Sequence, residues 1–410
     1  MLNIETGRNR RMLRASSLAL LSVGVLAIGA APATSDLLAP ATAQSQPAPQ
    51  LPAPPANGEM GFVVWHFVPS VIQGNDACPD GPVVKTRESF LAKLSADERE
   101  RLAKKENEAE FTQRWRADVS GPNGTNMCTH FAMFPDRPTQ RTVQSKFSRG
   151  FNLDGDTGDG SNNATGCAHQ NFESPEGEKG IDNQSYRAMG CMLEWRGVDG
   201  TGGDQVRGFE GFIASGEWTQ VLLLRGVDSL VNDNEVEVIY GNTADRPVVD
   251  STGKFVWQAS YSISTTAPRE RNVLHGKIVN GVLTTEPALI KLTQTWGQGG
   301  GRDLRGQRSR WTLNRGRLKL TFRPDGKLEG IVGGYQPINE FVDSTSMGGM
   351  GSLITGGHDC ASRYNTLKKL ADGDRDPTTG ECKTISSAID LKAVPAFVND
   401  VKAKQNIASK

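Results

Sequence analysis

Neither sign of charge is in excess in this chain of 410 residues, because 46 lysine and arginine residues balance 46 aspartate and glutamate residues. Proteins that bind nucleic acid or anionic membranes broadly carry a basic excess. The balance therefore argues against nucleic acid as a partner and gives no indication of electrostatic binding to a membrane surface.

The chain also lacks the local motifs of the common hydrolases and metalloenzymes. It contains no G-x-S-x-G, no H-E-x-x-H and no phosphate-binding loop. No C-x-x-C pair occurs, which argues against zinc-finger and c-type haem proteins. A catalytic site in this chain would have to be assembled by the fold from residues that are distant in sequence.

The start of the chain has the pattern of an export signal. Arginines precede the apolar segment Ser17–Ala30, and Ala41-Thr42-Ala43 supplies a small-x-small cleavage site. Residues 1–43 are thus predicted to be a signal peptide, and the proline- and alanine-rich residues 44–60 a tether. We expect the mature protein to be secreted or periplasmic, without a membrane span once the signal is removed.

The chain has six cysteines, and disulfides persist in the oxidising compartment that export implies. They are Cys78, Cys128, Cys167, Cys191, Cys360 and Cys382. The simplest pairing joins neighbours in sequence, 78–128, 167–191 and 360–382. Metal ligation is the alternative, since Cys128-Thr129-His130 and Cys167-Ala168-His169 each bring a cysteine close to a histidine. The missing C-x-x-C favours disulfides.

Glycine (46 residues) and proline (21 residues) are distributed along the chain, and short segments rich in β-branched and aromatic residues lie between them. Tight-turn sequences at Asn280-Gly281, Asn314-Arg315-Gly316 and Pro324-Asp325-Gly326 predict hairpins. Long helical stretches, which a parallel α/β protein needs, are absent. The predicted fold class is mainly β with a few short helices, built as an antiparallel β-sandwich or barrel-like core with long, disulfide-stapled loops.

Helices are predicted in three places. A capping box at Ser95 begins a charged helix that runs to about Asp118, and short helices are expected over Ser362–Ala371 and Ile385–Leu391. After the tether, the chain divides into a loop-rich part with the charged helix (61–200), an antiparallel β core (205–340) and a glycine-rich and helical part (345–400). The last part is expected to pack on the same domain as the core.

Two runs of aspartates predict calcium-binding loops. Oxygen ligands at alternate positions on a glycine-containing loop suit Ca²⁺, which takes about six to eight of them. The second run departs from an EF-hand at Pro377 and Lys383. Hydrophilic turns are the alternative interpretation of both runs. The proposed ligands are Asp154, Asp156 and Asp159 in the first run, and Asp372, Asp374 and Asp376 in the second.

The first aspartate run belongs to a long polar stretch, Phe151–Cys191, that also holds the candidate catalytic residues. Glu173, Glu176 and Asp182 are candidates for general acid/base chemistry, and His169 is the histidine closest to them in sequence. A structural hydrogen-bonding role is the alternative for His169.

Arginines and tryptophans cluster around residues 299–310, with Trp296 and Trp311 on either side. Guanidinium groups suit carboxylate or phosphate groups on a ligand, and aromatic faces suit sugars. A solvated loop between strands is the alternative interpretation.

Two hypotheses for function remain after these observations. The first is an exported, cation-stabilised, β-rich binding or scaffold protein of the cell envelope or extracellular space, with polysaccharide or another envelope component as the candidate ligand. The alternative is a secreted hydrolase that uses carboxylates of the 154–182 segment. A hydrolase requires a cleft in which two carboxylates converge, whereas a binding module requires a shallow face with an exposed tryptophan. The oligomeric state stays open.

Overall fold

Antiparallel strands dominate the computed structural model, which describes residues 51–72, 77–128, 130–137, 140–161, 166–197, 202–265, 270–295, 308–344, 357 and 359–400. The predicted signal peptide and the first part of the predicted tether lie outside these residues. The strands are β1 (Met60–Pro69), β2 (Phe172–Glu173), β3 (Lys179–Ile181), β4 (Gln220–Arg225), β5 (Asn232–Asn242), β6 (Ser260–Ser262), β7 (Arg271–Val279), β8 (Val282–Thr285), β9 (Ala288–Thr295), β10 (Arg308–Phe322), β11 (Leu328–Pro337), β12 (Gly373–Arg375) and β13 (Cys382–Asn399).

The helices are short and lie between or after these strands. They are α1 (Thr86–Ala92), α2 (Ala96–Ala103), α3 (Glu108–Val119), α4 (Gln184–Met189), α5 (Leu193–Arg196), α6 (Asp204–Ser215), α7 (Ile338–Ser344) and α8 (Cys360–Lys369), with 3-10 turns at Lys105–Asn107, Pro122–Gly124 and Phe131–Met133.

Eight of the described strands form a closed antiparallel barrel. Their order is β1-β4-β5-β7-β8-β10-β11-β13, and β13 pairs back with β1, so the sheet closes on itself. Closure satisfies the backbone groups that an open edge would leave exposed. The predicted mainly β, antiparallel, barrel-like fold is therefore confirmed. The barrel takes β1 from the predicted loop-rich part and β13 from the predicted helical part.

Two of the three predicted hairpins join barrel strands. Asn280 and Gly281 both have positive φ, at 51° and 80°, as a type I′ turn requires, and they connect β7 to β8. The turn at Pro324-Asp325-Gly326 connects β10 to β11. The hairpin predicted at Asn314-Arg315-Gly316 is wrong, because these residues form a bulge inside the continuous strand β10. Pairing with β9 and β11 continues on both sides of that bulge.

The barrel interior is packed with apolar side chains that alternate along the strands. On β1, Phe62 and Val64 face the interior, while Val63 belongs to a cluster on the outside. Trp218 and Trp311 pack at the centre with their rings 5.1 Å apart. Trp311 cannot present its ring to a ligand, as the binding interpretation of residues 299–310 requires, because its side chain is part of the core. Trp296 and residues 299–307 lie outside the described residues.

Three helix predictions have mixed outcomes. The Ser95 hydroxyl accepts a hydrogen bond from the Glu98 amide, as the capping box predicts, but extended backbone at Lys104 divides the charged segment into α2 and α3. The prediction over Ser362–Ala371 corresponds to α8. The helix predicted over Ile385–Leu391 is wrong, because this segment is part of β13, which pairs with β1 and β11 on its two sides. Tertiary pairing overrides the local preference there.

The cysteines form three disulfides, and the neighbour pairing predicted above is wrong. The bonds are Cys78–Cys191, Cys128–Cys360 and Cys167–Cys382, with separations of 113, 232 and 215 residues. Each bridge joins segments that only the folded barrel brings together, so sequence proximity is a poor guide to the pairing. Because every cysteine is bridged, none can supply a thiolate to a metal.

Candidate functional site

The outer wall of the barrel carries a second, smaller core where β10, β11 and β13 lie side by side. Side chains alternate along β11, so Val332 faces the barrel interior while Ile331 and Tyr335 face outward. Phe151 and Leu153 pack on these two outward residues. The polar stretch predicted to carry function therefore lies directly against the barrel wall.

Local hydrogen bonds explain why this polar stretch folds without a large apolar core of its own. Asp154, Asp156 and Asp159 each accept a hydrogen bond from the amide two residues further on, at 2.7, 2.7 and 3.0 Å. These short carboxylate side chains thus stabilise successive turns. The disulfide from Cys167 to Cys382 then anchors the stretch to the first residue of β13.

His169 and Asp182 form a buried pair within this stretch. His169 Nε2 lies 2.8 Å from Asp182 Oδ1, and its Nδ1 donates to the carbonyl oxygen of Cys167 at 2.9 Å. The His169 side chain is only 4% exposed. The other Asp182 oxygen accepts hydrogen bonds from the amides of Leu153 and Asp154, at 2.7 and 3.3 Å. Backbone amides and the imidazole therefore hold Asp182 in one orientation.

Asp372 reaches the same pair from the segment between α8 and β12. Its Oδ1 accepts a hydrogen bond from the Ser386 amide at 2.7 Å, and its Oδ2 lies 3.9 Å from His169 Nε2. The Asp372 carbonyl also accepts from the Cys167 amide at 3.0 Å. Asp372 is fully buried, and among the described residues its Oδ2 has no hydrogen-bond partner.

Asp154 completes the group, which we call the His169 cluster: Asp154, His169, Asp182 and Asp372. Asp154, His169 and Asp182 each offer a ligand atom, and these three atoms all lie within 4.8 Å of one another. Asp154 is the half-buried member and forms the side nearest to solvent. Three carboxylates and one imidazole thus converge from two segments of the chain that lie far apart in sequence.

Burial and charge set the protonation of the cluster. Burial alone would lower the pKa of His169, but the hydrogen bond to Asp182 and the charge of Asp372 outweigh it and raise the pKa to about 9. Burial raises the pKa of Asp372 to about 7, against the opposing effects of His169 and of the bond from Ser386. Burial also raises the pKa of Asp154. His169 is therefore an imidazolium at neutral pH and compensates part of the cluster's negative charge.

Tyr335 and Arg317 complete the surroundings of the cluster from the barrel wall. Burial, reinforced by the charges of Asp372, Asp182 and Asp154, raises the pKa of Tyr335 well above its ordinary value. Burial lowers the pKa of Arg317, whose guanidinium donates to the Asn152 carbonyl at 3.1 Å. No local sequence signal distinguishes Tyr335 or Arg317, because only the pairing of β10 with β11 places them beside the polar stretch.

The remaining aspartates of the two runs serve other contacts. Asp374 accepts a hydrogen bond from the Asn314 side chain at 2.8 Å, and Asp376 forms an ion pair with Lys383 at 2.5 Å. Asp156 and Asp159 accept bonds within their own turns. Of the six aspartates predicted as metal ligands, the structure therefore brings Asp154 and Asp372 together, along with His169 and Asp182.

The two candidate glutamates lie outside the His169 cluster. Glu173 is half-buried and exchanges main-chain hydrogen bonds with Lys146 and Ser148, at 2.9 and 3.0 Å. Glu176 instead lines a groove of about 480 Å³ on the outer wall, across β10, β11 and β13.

Charges of both signs line this outer-wall groove, and most of them are paired across it. The ion pairs are Lys319–Glu178 at 2.6 Å, Arg323–Glu329 at 3.0 Å and Arg149–Asp390 at 3.5 Å. The pairs span strands and the overlying loop, so they hold the polar groups of the groove at defined positions.

Two tryptophans contact lysines that line this groove or lie next to it in sequence. The ammonium of Lys392, which lines the groove, lies 5.7 Å from the ring centroid of Trp65. Lys327, in the turn that leads to Glu329, lies 5.3 Å from the ring centroid of Trp257, and that indole is 44% exposed. The sequence analysis predicts no function for Trp257.

The fold and its sites define a disulfide-stabilised, closed antiparallel β-barrel with polar loops on its outer wall. No protein-family model, no curated protein and no solved structure matches the chain. Within the described residues, the helices are all too short or too polar to cross a membrane. Three disulfides fit a protein that resides in an oxidising compartment.

Proposed function

We propose that this protein is an exported β-barrel binding protein whose ligand is a polysaccharide or another glycan of the cell envelope. The observation that carries the proposal is the groove on the outer barrel wall, whose lining has charged groups of both signs. The exposed indole of Trp257 supports it, because it contacts Lys327, two residues before the groove residue Glu329. Sugar rings present hydroxyl groups around their edges and apolar C–H faces, so they match this combination of polar and aromatic groups.

The balance of charge in the groove favours a largely neutral ligand. A site for phosphate or another polyanion would present cations in excess, whereas here each of three cations has a carboxylate partner within 3.5 Å. Neutral hydroxyls can accept from the cations and donate to the carboxylates without disturbing these pairs.

Burial argues against Asp182 and Asp372 as the catalytic carboxylates of the hydrolase alternative. A glycoside hydrolase needs two carboxylates that face one scissile bond. Asp182 and Asp372 are fully buried, and their oxygens face His169 and backbone amides. The proposed glycan-binding role uses neither Asp182 nor Asp372. We propose separately that a bound cation stabilises the protein.

The test is binding of the mature protein to a panel of neutral and acidic polysaccharides, measured by affinity electrophoresis and then by calorimetry with oligosaccharides. We expect Trp257→Ala to weaken glycan binding by about tenfold, or about 1.4 kcal/mol, through loss of stacking. Leu289→Ala is the matched control, because Leu289 is a similarly exposed apolar residue (51%) on β9. The proposal fails if no glycan binds or if the two variants bind equally well.

A further inference from the structure

We propose that the His169 cluster is a structural zinc site, with one imidazole nitrogen and three carboxylates as its four protein ligands. The ligands are Asp154, His169, Asp182 and Asp372. This inference concerns a different part of the barrel wall from the glycan groove and does not depend on glycan binding.

The orientation of the imidazole is the first argument. A carbonyl oxygen only accepts hydrogen bonds, so the contact of Nδ1 with the Cys167 carbonyl requires a proton on Nδ1. In the neutral ring, Nε2 then directs its lone pair toward the carboxylates. A histidine that donates one nitrogen to a backbone carbonyl and presents the other to a metal is the usual arrangement in metal sites.

Asp372 supplies an independent second argument. Its Oδ2 is fully buried, accepts no hydrogen bond among the described residues and lies 3.9 Å from His169 Nε2. A buried carboxylate oxygen that accepts no hydrogen bond is costly, and a bound cation would remove that cost. The hydroxyl of Tyr335 is also buried, at 1% exposure, and is likewise unpaired in the described part of the chain.

The distances suit a small ion with about four ligands. Bonds of about 2.0–2.2 Å from tetrahedral zinc to nitrogen and oxygen place neighbouring ligand atoms about 3.3 Å apart. The His169–Asp182 and His169–Asp372 separations are 2.8 and 3.9 Å and lie on either side of that value. Asp154, His169 and Asp182 already lie within 4.8 Å of one another, whereas Asp372 is outside that group and would have to move closer to complete the site.

The donor set also separates zinc from calcium. Calcium takes about six to eight oxygen ligands, whereas this cluster offers an imidazole nitrogen and is enclosed by protein. Imidazole with carboxylates suits zinc, and a closed site with only protein ligands is typical of structural zinc. The ion would link the stretch around Asp154 to the segment between α8 and β12, next to the bridge at Cys167.

The experiment uses the full mature chain, stripped with EDTA and titrated separately with Zn²⁺, Mn²⁺ and Ca²⁺. We expect one zinc per chain by elemental analysis and a rise in melting temperature of about 5 °C at a hundredfold excess of zinc over its Kd. Cobalt in place of zinc should give the visible absorption of a four-coordinate site.

Two isosteric variants test the ligand set. Asp154→Asn keeps an oxygen that can accept from the Asp156 amide but removes a ligand charge, so zinc affinity should fall at least about tenfold. Asp156→Asn is the matched control: its side chain accepts from Gly158 in the next turn, and zinc affinity should not change. Circular dichroism confirms that both variants fold.

Three results would overturn the proposal. One is the absence of stoichiometric zinc binding, and another is an equal affinity of the two variants for zinc. The third is stabilisation by Ca²⁺ or Mn²⁺ where zinc has no effect, which would assign the cluster to a different ion.

Discussion

His169 is a cation inside a group of acids, and the charges around it explain how this buried polar cluster is stabilised. It faces Asp154, Asp182 and Asp372, while Tyr335 and Arg317 approach from the barrel wall. The nearby Arg315 guanidinium lies 5.4 Å from the Tyr335 ring centroid. Without the imidazolium, two fully buried carboxylates would lose their main source of compensation.

The stability of the metal-free protein should therefore fall as pH rises from about 4 to 9. The pKa of His169 is raised from 6.5 to about 9, so its contribution is complete below pH 6.5 and is lost as pH rises through 9. The pKa of Asp372 is raised from 3.8 to about 7, so the folded protein again binds more protons than the unfolded chain, over a lower range of pH. Urea unfolding in EDTA at a series of pH values, followed by tryptophan fluorescence, measures the decline.

Replacing the imidazole separates the contribution of His169 to the pH dependence of stability from that of Asp372. His169→Gln should lower the free energy of unfolding by about 3 kcal/mol at pH 6, because it removes the imidazolium that is hydrogen-bonded to the fully buried Asp182. It should also remove the decline above pH 6.5. The control is His275→Gln, since His275 is exposed on β7. Equal pH profiles for the two variants would contradict this account of the cluster.

At the scale of elements, β13 organises both the barrel and the cluster. The Ser386 amide donates a hydrogen bond to Asp372, the first residue of β13 bridges to Cys167, and its two edges pair with β1 and β11. The hydrophobic pattern of Ile385–Leu391 resembles a short helix locally. Strand partners on both sides decide its conformation, and neither partner is adjacent in sequence.

The disulfide at the start of β13 should control the order of the neighbouring polar stretch. We expect a Cys167→Ser/Cys382→Ser double variant to lose about 4 kcal/mol of stability by the chain-entropy argument. The bridge joins the polar stretch to the first residue of β13. Without it, amide hydrogen exchange should rise over residues 151–161 and 166–182, while the barrel strands stay protected.

The matched control is the Cys128→Ser/Cys360→Ser variant, which frees the helical segment around α3 and α8 instead. Its hydrogen exchange should rise in α1–α3 and not in the polar stretch. If amide hydrogen exchange rises over the same residues in both double variants, the bridges stabilise the whole molecule. The prediction that each bridge orders its own neighbourhood is then wrong.

At the scale of the whole molecule, closure of the barrel depends on the last described strand. A chain that ends at Glu381 lacks β13 and should not fold, because the outer edges of β1 and β11 would be open and Ile389, Leu391 and Ala393 would leave the core. The free energy lost with this strand pairing and apolar burial exceeds the total stability of about 5–15 kcal/mol that is usual for a domain.

Near-UV circular dichroism and gel filtration test this prediction. A chain that ends at Asp400 retains every described contact and is the control. A native-like near-UV spectrum from the chain that ends at Glu381 would show that the other barrel strands hold together without β13.

The sequence by itself determined the features that depend on short-range chemistry. Asn280-Gly281 specifies a turn with two positive φ angles, Ser95 caps a helix, and alternating apolar residues make the protein mainly β. The export signal and the six cysteines together predict disulfides, and residue type and spacing alone identify Asp154 and His169 as candidates. Each of these inferences needs only a few neighbouring residues.

Only the tertiary structure decided which distant residues meet. The closure of β13 on β1, the pairing of Cys167 with Cys382 and the approach of Asp372 to His169 all join positions more than 200 residues apart. Local patterns set backbone conformation and burial, but they carry no information about which strand lies beside which. Because packing and strand pairing choose those neighbours, the His169 cluster exists only once the barrel has formed.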